Sequence, residues 1–145
     1  MNHGIKRIQL ITNVMCYGLP PEPDEEVEQR ITINSSGDVW LSSYNYGEGD
    51  FNYELRMRTR KSIVKDEVNL LFERIQKYFD NPKDQLFITD VGGWTLNITY
   101  DDGDTIQYLG SIGQDIMIDG IELSKELRRL LKNKDLFAFD GNWEE

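Results

Sequence analysis

The chain has 145 residues, 39% of them hydrophobic and 11% aromatic, and a formal net charge of −10. That length suits one domain with a sizeable core, and so many aromatic residues exclude a disordered chain. No stretch approaches the ~20 consecutive apolar residues that a membrane-spanning helix needs, and the single cysteine, Cys16, excludes an internal disulfide.

The opening Met1-Asn2-His3-Gly4-Ile5-Lys6-Arg7 lacks the long apolar run and small-residue cleavage site of a signal peptide, so a cytoplasmic protein is expected. The charge is unevenly spread. Residues 8–55 hold nine acids against Arg30 alone, and residues 84–124 hold eight acids and no base. Such a chain repels a phosphate backbone over most of its surface, which argues against direct nucleic-acid binding and for a basic protein partner.

Ile5, Ile8, Leu10, Val14 and Met15 predict a first strand over Ile5 to Cys16, with Cys16 a small buried side chain. The prolines and acids of residues 20–28, starting Pro20-Pro21-Glu22-Pro23, predict a solvated connection. Ile31, Ile33, Val39 and Leu41 flank Asn34-Ser35-Ser36-Gly37-Asp38 as a hairpin, and Tyr44 to Asp50 reads as a glycine-rich loop. Tyr53, Leu55 and Met57 alternate with Glu54, Arg56, Arg58 and Arg60, which gives a further strand.

Val68, Leu71, Phe72, Ile75, Tyr78 and Phe79 recur at helical spacing, with Asp66 and Glu67 at the start and Asn81-Pro82 as the stop. Trp94, Leu96, Ile98 and Tyr100 alternate with Thr95, Asn97 and Thr99, and Asp101-Asp102-Gly103-Asp104 supplies the turn that returns Ile106 and Tyr108 to the same face. Leu123, Leu127, Leu130 and Leu131 form a second helical stripe with Ser124 as a candidate N-cap. Leu136, Phe137 and Phe139 form a last strand or dock on the core, and residues 141–145 make a flexible tail. The order predicts one α+β domain: a mostly antiparallel sheet of about five to seven strands built from hairpins, with both helices on one face.

The pattern Ile88-Thr89-Asp90-Val91-Gly92-Gly93-Trp94-Thr95-Leu96, the Asp102-Gly103 turn, Tyr108-Leu109-Gly110-Ser111 and the ending Asp135-Leu136-Phe137-Ala138-Phe139-Asp140-Gly141-Asn142 resemble small uncharacterised proteins of Gram-positive bacteria. The likeness spans residues 31–142. It implies a bacterial, phage or mobile-element origin and transfers no functional residue.

Catalytic chemistry is thinly represented. The only histidine is His3, so a nucleophile lacks a base, and one Cys with one His cannot make a zinc site. No phosphate-binding or dinucleotide glycine motif occurs, and no cofactor is expected. Asp101, Asp102 and Asp104, with Asp115 or Asp119, could flank a sugar or hold a hard cation as a small hydrolase or ligand-binding site, against the plain alternative of turn formation. Arg56, Arg58 and Arg60 line one strand face as a weak anion site, against cross-strand pairing with acids.

Trp40, Tyr44, Tyr46, Phe51 and Tyr53 mix with Ser42, Ser43, Asn45 and Asn52, a composition that suits a recognition surface. The sequence therefore predicts a non-catalytic acidic binding module that contacts its partner through Tyr44, Tyr46, Asp50, Asp101, Asp102 and Asp104. Its concrete form is an inhibitor occupying the basic nucleic-acid groove of a defence enzyme. An immunity protein against a basic toxin would present the same chemistry.

Overall fold

Period-two alternation organises most of the chain. The computed structural model describes residues 4–15, 20–49, 52–80, 92–112 and 115–142. Its elements are β1 (Ile5–Asn13), β2 (Glu26–Asn34), β3 (Asp38–Asn45), β4 (Glu54–Ser62), α1 (Lys65–Asp80), β5 (Gly93–Tyr100), β6 (Thr105–Ser111), β7 (Met117–Ile118), β8 (Ile121–Glu122) and α2 (Leu123–Leu131). Six strands form one antiparallel sheet in the order β4-β3-β2-β1-β5-β6, and β7 pairs with β8 as a separate small hairpin. The fold is α+β, as the sequence predicts.

Register puts matching apolar residues side by side. Ile33 pairs with Val39 and with Ile8, which pairs with Ile98; Ile31 pairs with Leu41 and with Leu10, which pairs with Leu96. This face joins one core with Val68, Leu71 and Ile75 of α1 and Leu123, Leu127 and Leu131 of α2. Burial of these side chains is the main stabilising term, about 1.5–3 kcal/mol for each. Among the described residues no helix packs on the opposite face. There Asn97 donates to Gln9 at 3.3 Å and Gln107 donates to Asn97 at 2.9 Å, while Trp40 remains 37% exposed beneath the Arg60 guanidinium.

Several boundaries differ from the sequence expectation, each for a physical reason. The second strand starts at Glu26 rather than Ile31, because its polar first half meets polar partners. Gln29, only 4% exposed, accepts from the Phe137 N–H at 2.7 Å and donates to the Asp135 carbonyl at 3.2 Å. Thr12, on the adjacent strand, donates to the Ala138 carbonyl. These bonds hold the segment after α2 against the inward face, so Leu136 and Phe139 dock on the core and form no strand.

Gly141 and Asn142, placed in the tail by the sequence, are also held: the Gly141 N–H bonds the Phe137 carbonyl at 2.8 Å and Asn142 donates to the Lys134 carbonyl at 3.0 Å. Ser124 does not cap α2. Glu122 occupies the N-cap position, and the Ser124 hydroxyl accepts from the Phe139 N–H at 3.1 Å. The first strand ends at Asn13, and Cys16 lies outside the described residues.

Candidate functional site

The proline-rich acidic connection and the tyrosine turn, separate in sequence, meet at one end of the sheet. β3 carries Tyr44 and Asn45 as its last residues, so the glycine loop is shorter than the sequence suggests. The Tyr46 N–H donates to the Glu25 carbonyl at 2.8 Å and the Gly47 N–H to the Pro23 carbonyl at 2.9 Å. Arg56 adds hydrogen bonds to the Asp24 carbonyl at 3.2 Å and to Asn45 Oδ1 at 3.1 Å. The turn needs its glycines. Gly49 has φ +74°, and a Cβ there would lie 2.5 Å from the Tyr46 hydroxyl oxygen.

Three tyrosines gather at this corner. The Tyr46 and Tyr53 ring centroids are 6.4 Å apart, and the Tyr53 hydroxyl accepts from Asn13 at 3.2 Å. The Arg30 guanidinium stacks 4.7 Å from the Tyr44 ring centroid while its other side pairs with Glu28 at 2.8 Å. Glu22, Asp24, Glu25, Glu48 and Glu54 are exposed around them, and Glu26 is half-buried. Arg30 and Arg56 are both engaged internally, so the charge this corner shows to solvent is negative. The corner offers aromatic contact area ringed by carboxylates.

The other predicted site residues divide. Asp50 lies outside the described residues. Asp101, Asp102 and Asp104 surround the β5–β6 turn at the far end of the sheet, about 24 Å of strand from the tyrosine corner at ~3.4 Å per residue. All three are exposed, and the Asp104 N–H bonds the Asp102 carboxylate at 3.0 Å, an arrangement that makes a turn. Among the described residues they lie at the opposite end of the sheet from Tyr44 and Tyr46, so the residues that the sequence groups as one contact surface fall in two places. Arg58 and Arg60 share the open sheet face. Arg60 pairs with Asp38 at 3.4 Å, and Arg56 sits at a register shift and turns to the corner. The arginine stripe is therefore split, with two of its three members internally engaged.

Asp115 does have carboxylate partners, though different ones. One carboxylate oxygen from each of Asp115, Glu122 and Asp140 lies within 4.8 Å of the other two. Burial, then the charges of Asp140 and Asp115, push the Glu122 carboxyl above its ordinary range. Asp140 is held by Arg128, which contacts both of its oxygens. Sequence reasoning missed this cluster because it missed the β7–β8 hairpin that carries Glu122. The signal was present: Asp119 and Gly120 both adopt positive φ between Ile118 and Ile121, the chemistry of a two-residue hairpin turn.

The basic residues of α2 and its exit, among them Lys125, Arg129, Lys132 and Lys134, line an open cleft. Arg129 is tied to Glu67 and Glu126 there. Compared with known proteins, the chain matches no protein-family model and no curated sequence.

Proposed function

We propose that this chain is a non-catalytic binding module that engages a basic protein surface through its acidic tyrosine corner. The observation that carries the reading is the pair of backbone hydrogen bonds from Tyr46 and Gly47 to Glu25 and Pro23. They bring five exposed acids together with Tyr44, Tyr46 and Tyr53 on a scaffold fixed by the sheet. Tyrosine supplies contact area at low entropic cost, and a rim of one charge sign steers a partner of the other. The concrete form is an inhibitor seated in the basic nucleic-acid groove of a bacterial defence enzyme. The bacterial or mobile-element origin implied by the sequence resemblance suits that role.

The test is affinity capture from a lysate of the source cells at ~20 mM and ~150 mM salt, which changes the screening length severalfold. A partner retained at low salt and weakened at high salt is expected, and the captured protein should lose nucleic-acid binding when the module is present. Tyr44→Ala or Tyr46→Ala should weaken that capture by more than ~1 kcal/mol in at least one case, as for a hot spot. Both variants should keep a cooperative unfolding transition, since both rings are only half-buried. Loss of folding in both, or no partner at either salt, contradicts the reading.

A further inference from the structure

A buried carboxylate oxygen with no hydrogen-bond partner needs a counterpart. Glu122 Oε1 is such an atom: it is shielded from solvent and accepts no hydrogen bond. The Glu122 side chain is only 10% exposed, and its nearest cation, Lys125, reaches the other carboxylate oxygen at 3.9 Å. The same side chain places an oxygen within 4.8 Å of oxygens from Asp115 and Asp140. Two oxygens bound to one calcium ion at ~2.4 Å can be at most ~4.8 Å apart, so the three carboxylates are close enough to share one hard cation.

We propose that Asp115, Glu122 and Asp140 form a binding site for a hard divalent cation. Three elements supply the ligands: the connection after β6, the N-cap of α2 and the turn that follows Phe139. The cation would therefore tie the β7–β8 hairpin to the turn that follows Phe139. The donor set is all oxygen, which selects calcium or magnesium over softer metals. Arg128 pairs directly with Asp140, while Lys125 meets Glu122 only at the long 3.9 Å distance, so two cations face three carboxylates. The residual charge is negative, as a cation site requires. None of these groups belongs to the tyrosine corner, so the site stands or falls independently of the proposed partner.

The experiment is thermal unfolding of the full chain with calcium chloride or magnesium chloride added to chelator-treated protein. At least one of the two cations should raise Tm by roughly 5–10 °C at a hundredfold excess over its Kd. Glu122→Gln should abolish that rise. Asp115→Asn, at an exposed position, should weaken binding of that cation at least tenfold and keeps the test decisive if Glu122→Gln folds poorly. Asp102→Asn, in the distant acidic turn, should leave the rise intact and so separates a built site from general screening of a −10 chain. No rise with either cation, or an equal rise in Asp115→Asn and the parent chain, would overturn the proposal.

Discussion

Trp94→Ala is expected to cost about 3–5 kcal/mol of stability, the range for emptying a buried aromatic site. Trp94 is 3% exposed at the junction of the sheet, α1 and the C-terminal segment. Its ring meets Phe139 edge-on at 5.0 Å and Phe79 at 6.1 Å. On its remaining side it covers Gly110, where an added Cβ would come within 2.2 Å of the indole. No single neighbour can move in to fill the space, because each is fixed by a different element. In a chain of this length the loss corresponds to a fall in Tm of roughly 6–20 °C, readable by thermal or urea unfolding. A loss below about 1 kcal/mol would mean that the three elements collapse around the gap.

The second large effect is expected at Arg128, whose side chain is 11% exposed. Its guanidinium donates to the Leu136 carbonyl at 2.9 Å and the Phe137 carbonyl at 3.4 Å, and it pairs with Asp140. Arg128→Met keeps the aliphatic volume but strands the Asp140 charge beside Glu122 and Asp115 and takes the guanidinium from the Leu136 carbonyl, while the Phe137 carbonyl keeps the Gly141 N–H. Breaking a mostly buried pair from one side costs about 3–5 kcal/mol. Adding Asp140→Asn to Arg128→Met should recover part of that loss, because the stranded charge is then gone. A double-mutant cycle by urea denaturation measures the coupling. Equal stability of the single and double variants would show that the carbonyl contacts, rather than the charge pair, carry the effect.

Legibility in the sequence followed how local each feature is. The alternation from Trp94 to Tyr100 and the Asp102-Gly103 turn place β5 and β6 correctly, because a hairpin is specified by adjacent residues. Both helices are legible for the same reason. The first half of β2 is not, since the partners of Gln29 are backbone groups of Asp135 and Phe137, more than a hundred residues on. The β7–β8 hairpin has two residues per strand, too few for any period to register. The tyrosine corner was half visible: its two segments each carried a recognisable composition, but their contact is made by backbone hydrogen bonds that no side-chain pattern encodes. Asp101, Asp102 and Asp104 are legible as a turn from adjacent residues, whereas their separation from the tyrosine corner follows from strand order, which no local pattern encodes.

Reversing charge at each end of the sheet separates the two acidic clusters most directly. One variant combines Asp24→Lys with Glu25→Lys at the tyrosine corner, and the other combines Asp101→Lys with Asp102→Lys at the β5–β6 turn. All four positions are exposed, so both variants should fold with little change in Tm. Affinity for the captured partner, measured by titration calorimetry, should fall at least tenfold in the corner variant and stay within about twofold in the turn variant. Unchanged affinity in the corner variant, or the larger loss in the turn variant, would contradict recognition through the acidic tyrosine corner.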